Sequence, residues 1–116
     1  NLALDEHPEA LPDESGKMAA ADLRYTHIPI PFDAPTDAHY AAFVAAIEED
    51  DAPIHVHCIA NFRVSAMFYR YHGAGGMKQA EARPIMERVW TPETIQIPHA
   101  PVWAAFVAAD PTGDPE

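Results

Sequence analysis

Cysteine occurs once in these 116 residues, at position 58, so no disulfide can close within the chain. That scarcity excludes the cross-linked scaffolds of small secreted domains and fits a reducing, cytoplasmic setting. It also marks Cys58 as a lone thiol, the arrangement in which a nucleophile draws its partners from elsewhere in the sequence. Positive charge is scarce as well. Seven Lys and Arg stand against 18 Asp and Glu, a net charge of −11, and a nucleic-acid backbone needs clustered cations, so nucleic acid is excluded as a partner. No apolar run approaches the roughly 20 residues of a membrane span, and no membrane partner is expected. A secretory leader pattern is missing at the start, where there is also no initiator Met. Repeats and low-complexity tracts are absent too. Hydrophobic residues make up 48% and charged residues 22%, an ordinary soluble composition, and the length allows one core and no second. Residues 1–109 therefore read as a single domain and 110–116, DPTGDPE, as a frayed, disordered tail.

What is present reads as alternating strands and helices. Residues 1–4 open apolar, DEHPEALPDESGK is a polar, Pro-rich loop, and Met18–Leu23 can make a short helix. Tyr25–Ile30 reads as a strand stopped by Pro29 and Pro31, which have no N–H to donate. Thr36 is an N-cap with Asp37 in the first turn, and Tyr40, Phe43, Val44 and Ile47 recur at i, i+3, i+4 and i+7, so a helix is predicted over Thr36–Glu49. Ile54, Val56 and Cys58 then alternate with His55 and His57, as in a central strand bounded by Pro53. Val64, Met67, Phe68 and Tyr71 form the stripe of the next helix. Beyond a glycine-rich break at 72–76, Met77–Trp90 suits a helix kinked or restarted at Pro84, and Val102–Ala109 a short final one. The order predicts an α/β fold, a mostly parallel central sheet flanked by helices, with ligands at the C-terminal ends of the strands.

The turn from Cys58 to Arg63 joins strand to helix. Backbone N–H groups at a helix start favour a phosphate or a thiolate, so Ile59, Ala60, Asn61, Phe62 and Arg63 form a candidate anion cradle. A cysteine there, beside an arginine, sits where a thiol pKa falls below its free value of about 8.5. The composite of strand, Cys, loop, Arg and helix favours Cys58 as nucleophile over a buried structural cysteine. Arg63 suits a bidentate phosphate clamp, with a structural ion pair as the bland alternative. Only Lys17 and Arg24 precede the turn, while Arg70, Lys78, Arg83 and Arg88 follow Arg63 and read as solvated helix faces. Asn61 either holds the loop through its side chain or takes a left-handed turn. His55 and His57 share a strand face and could join His27 on a metal, but no carboxylate stands at matching spacing, and no metal or other cofactor is expected.

His57, Cys58, Ala60, Arg63 and Ser65 together resemble the signature of the cysteine-dependent (protein tyrosine and dual-specificity) phosphatases: His-Cys, five residues, then Arg and a Ser or Thr. Here only four residues, Ile59 to Phe62, separate Cys58 from Arg63, and Val64 stands between Arg63 and Ser65. The missing residue turns the following helix by roughly 100° relative to the loop. HCIANFRVSAMFYRY, with IPIPFDAPTDAHYAAF upstream and MERVWTPE downstream, is similar to a bacterial group of phosphatase-like domains, a likeness over most of the chain.

The resemblance implies a three-layer α/β/α fold with further strands before Asn1, hence a sheet lacking its first strand or strands, whose unpaired edge would favour a homo-oligomer. It implies a nucleophilic Cys58 and an Arg63 clamp. His57 would orient the loop and keep the thiol ionised, against the alternative of a histidine at the edge of the core. Ser65 would assist the leaving thiolate, unless it caps the helix. A general acid is expected from an upstream loop, where Asp33 stands 25 positions before Cys58, while Asp37 serves the helix start. The implied reaction is hydrolysis of a phosphate monoester, on a phosphoprotein or a small phosphorylated substrate, through a phosphocysteine and without a cofactor. Two readings stay open beside it: a module that binds phosphate or sulfate and lost turnover with the loop residue, and a sulfurtransferase, since persulfide carriers also place a Cys in an anion-cradling loop.

Overall fold

The computed structural model describes residues 1–49 and 52–108, and its helices are α1 (Glu14–Ala20), α2 (Asp37–Ile47), α3 (Phe62–Ala74), α4 (Gln79–Glu87) and α5 (Ala100–Ala108). The helical stripes explain their arrangement. α3 buries Ala66, Met67, Tyr69 and Arg70 and packs against α2, α4 and α5, so it is the axis of the molecule. α2 contributes Phe43, whose ring meets Phe68 of α3 edge-on at 5.2 Å. α4 and α5 contribute Ala82, Met86, Trp103, Phe106 and Val107. Buried side chains of this size stabilise by roughly 1.5–3 kcal/mol each relative to exposure, which outweighs the weak helix propensity of their β-branched and aromatic members.

Boundaries moved where local chemistry was misread. The first helix begins at Glu14, four residues before the expected Met18, because Asp13 takes a left-handed backbone (φ 49) and folds its carboxylate over Gly16, where a Cβ would stand 2.4 Å from it. Pro84 does not start a new helix but sits inside α4. The last helix starts at Ala100, after His99 turns the chain at φ 67. Ala109 and the expected tail, 110–116, lie outside the described residues.

The predicted parallel sheet is a correction. Among the described residues there are five helices and no β-strand. Three extended segments, 1–4, 23–31 and 53–58, do lie side by side: Ile28 N–H donates to the Asn1 carbonyl (2.9 Å), Ile30 N–H to the Leu2 carbonyl (3.1 Å) and Leu2 N–H to the His57 carbonyl (2.8 Å). The ladder stops there for a physical reason. At Ala3 both backbone groups are taken by side chains, the N–H by Asn1 Oδ1 at 2.9 Å and the carbonyl by His27 Nε2 at 2.6 Å, and local bonds of this kind compete with strand pairing. Pro29, Pro31 and Pro53 remove further donors. Ile54, expected in a central strand, is 57% exposed.

Candidate active site

The Cys58 loop is shaped by one residue. Asn61 adopts a left-handed backbone (φ 64, ψ 14), and its Oδ1 accepts the Cys58 N–H at 3.4 Å. Asparagine tolerates that conformation, so the two roles open to it in the sequence occur together. Asn61 precedes α3, yet its side chain makes no capping bond to the helix, and no acidic residue stands in the first turn. The unpaired N–H groups and the positive end of the dipole are thus left available to an anion. Ser65 is not the cap: its hydroxyl donates back to the Phe62 carbonyl at 2.9 Å.

Arg63, at the second position of α3, is 7% exposed; its Nη1 donates to the Ile30 carbonyl at 2.9 Å, and the guanidinium lies 5.8 Å from the centre of the Phe32 ring. Among the described residues no carboxylate pairs with it, and a guanidinium carries further N–H donors besides the one given to Ile30. Cys58, 8% exposed, and Arg63 line the same cavity of about 410 Å³. Its other walls are Ile59, Ala60 and Phe62 of the loop, Phe32, Ile97, and Leu4, Glu6 and His7 from the N-terminal segment. The aromatic wall is braced from behind: Phe62 stacks on Trp90 at 4.5 Å, and Trp103 Nε1 donates to the Phe32 carbonyl at 2.7 Å.

Asp33 is exposed in the turn after Phe32 and is not part of the cavity wall. Asp37 stands at the first position of α2 and pairs with Arg70 at 3.1 Å. Arg70, read as solvated, is buried between the rings of Tyr40 and Phe106, 4.3 and 4.6 Å from their centres. His27 is held by Ala3 and faces Asp5 at 3.8 Å, while His55 and His57 stack at 5.8 Å. Among the described residues no three His, Cys, Asp or Glu side chains gather as a metal site would require.

Sequence reasoning missed Glu14. Its carboxylate is buried, and Oε2 lies 2.7 Å from Nε2 of His57, whose Nδ1 lies 3.3 Å from the Cys58 carbonyl. The pair spans 43 positions, and no local spacing announces it. Glu6 and His7 were missed in the same polar segment, where composition signals a loop and nothing more.

No protein-family model and no curated protein matches the chain. Two solved structures do, both of a protein from Shewanella putrefaciens CN-32 named "Putative phosphatase (DUF442)". At 1.40 Å resolution that structure is 29% identical with a TM-score of 0.69, the match covering 94% of this chain and 70% of the other. At 1.60 Å the figures are 28%, 0.71, 94% and 69%. The fold is therefore phosphatase-like. Among the described residues no helix is long and apolar enough to cross a membrane.

Proposed function

We propose that this chain is a cysteine-dependent phosphate-monoester hydrolase of the protein tyrosine and dual-specificity phosphatase type, acting on a phosphoprotein or a small phosphorylated substrate in a reducing cytoplasm. The observation that carries the reading is that Cys58 and Arg63 line one cavity at the uncapped start of α3, although only four residues separate them. The Cys58 thiolate attacks phosphorus; the S–P bond forms as the bond to the leaving oxygen breaks. Charge on the transferring phosphoryl oxygens is met by Arg63 and the first-turn amides, and the leaving oxygen takes a proton from a carboxylic acid. Water then attacks phosphorus, the S–P bond breaks, phosphate departs and the acid recovers its proton. Asp33 is the acid drawn from the resemblance. Glu6 is the carboxyl that already lines the cavity. Phe32, Phe62 and Ile97 suit an apolar or aryl leaving group.

The bond from Arg63 to the Ile30 carbonyl favours a second reading, an anion-binding module without turnover, because it ties one arm of the clamp to the backbone. Turnover of nitrophenyl phosphate by the wild type, inhibited by orthovanadate and abolished in Cys58→Ser, supports the enzyme. Vanadate binding without any turnover leaves the module. In the same assay the true acid is the carboxyl whose amide variant, Asp33→Asn or Glu6→Gln, slows an alkyl phosphate by about 10² or more and the nitrophenyl ester little.

A further inference from the structure

Glu14 is the one buried carboxylate among the described residues, and it is the one residue that α1 buries. Hydrophobic packing therefore does not explain why this seven-residue helix docks where it does. Its Oε2 lies 2.7 Å from His57 Nε2, with the Glu14 side chain 6% and the ring 31% exposed. The other ring nitrogen, Nδ1, lies 3.3 Å from the Cys58 carbonyl. A carbonyl can only accept, so Nδ1 carries a proton. The 2.7 Å contact with Glu14 holds one more proton between the ring nitrogen and the carboxyl oxygen, a short charge-assisted hydrogen bond. The ring thus bridges a buried carboxyl group and the nucleophile's own backbone.

We propose that Glu14 is a positioning residue for Cys58: it keeps His57 doubly protonated and anchored against the back of the loop, so that a fixed positive charge stands beside the thiolate. The proposal deepens the hydrolase reading and rests on it for its consequence in turnover. Among the described residues no other carboxylate pairs with the His57 ring. The groups that face the pair are the Asn1 amide, which donates to Glu14 Oε1 at 3.4 Å, the Asn1 amino group, the Tyr25 hydroxyl bonded to Asn1 at 2.9 Å, and the His55 ring stacked at 5.8 Å. Burial raises the Tyr25 hydroxyl, its bond with Asn1 lowers it, and the negative Glu14 and Asp5 raise it further.

The test is the pH profile of Cys58 alkylation by iodoacetamide in the full chain. Glu14→Gln, which keeps the shape and loses the charge, moves the midpoint up by about one unit, so that alkylation at pH 6 slows roughly tenfold. Adding His57→Gln to Glu14→Gln changes nothing further, because the two residues act as one unit. A midpoint unchanged in Glu14→Gln, with a lowered Tm, overturns the proposal and makes Glu14 a structural residue only. Should that variant fail to fold, the ring nitrogens of His57 in the wild type decide: two protons by nitrogen NMR at pH 7 agree with the proposal, and one overturns it. A shifted midpoint in a protein that turns over no phosphate ester sinks the hydrolase reading and leaves the role of Glu14 standing.

Discussion

α2 and α3 begin in opposite ways. At α2, Thr36 is extended (φ −131, ψ 164), its hydroxyl accepts the His39 N–H at 3.2 Å, and His39 Nδ1 accepts the Thr36 N–H at 3.1 Å, which closes a capping box. At α3, Asn61 is left-handed, its side chain makes no capping bond to the helix, and its amide oxygen turns back to Cys58. The first start carries an acidic residue, Asp37, against its dipole; the second carries none. One end of a helix is sealed by its own side chains and the other is left open toward a cavity that holds a thiol and a guanidinium. An unsealed start costs stability, so keeping one beside Cys58 points to a ligand that completes it.

The comparison breaks most sharply at Arg63. Arg63→Lys leaves a donor for the Ile30 carbonyl but no planar fork for an anion, so phosphate affinity and turnover fall by about 10²–10³-fold while Tm moves little. Isothermal titration with phosphate and steady-state kinetics measure both, and unchanged phosphate affinity would mean that the guanidinium only braces Ile30. A smaller effect is expected at Asn61. Asn61→Ala forfeits the bond to Cys58 and puts a residue that tolerates the left-handed backbone less well than asparagine at φ 64, together about 2 kcal/mol by denaturant unfolding. Asn61→Gly keeps that backbone and loses the bond alone, roughly half as much. Turnover reduced equally in both variants locates the requirement in the amide oxygen, and turnover reduced only in the alanine variant locates it in the backbone.

Much of this contrast was written in local spacing. Thr36 as a cap, the stripe Val64, Met67, Phe68 and Tyr71, and the meeting of Cys58 with Arg63 depend on neighbours a few positions away, and all are present. The sheet was not legible, because a ladder depends on what else competes for each backbone group, and at Ala3 the side chains of Asn1 and His27 take both. Arg70 was read as solvated for a similar reason: nothing in its own helix announces that Tyr40 and Phe106 will cover both faces. Glu14 lay hidden in a stretch whose Pro and acidic residues signal a loop, and its value is set by a histidine far along the chain.

The smallest effect tests the sealed start. Thr36→Ala removes the hydroxyl that accepts the His39 N–H, and N-cap deletions of this kind cost about 1 kcal/mol, within roughly 0.5–2. The loss stays local. His39 Nδ1 can still accept the backbone N–H of residue 36, Asp37 still pairs with Arg70, and Phe43 still packs on Phe68 of α3, so α2 remains docked through its packed face. Urea unfolding should show a lower midpoint with an unchanged slope, since the surface exposed on unfolding is the same. Phosphate affinity and Cys58 alkylation should match the wild type. A Thr36→Ala protein that alkylates Cys58 at an altered rate would show that the two helix starts are coupled, and the division between a structural end and a working end would fall.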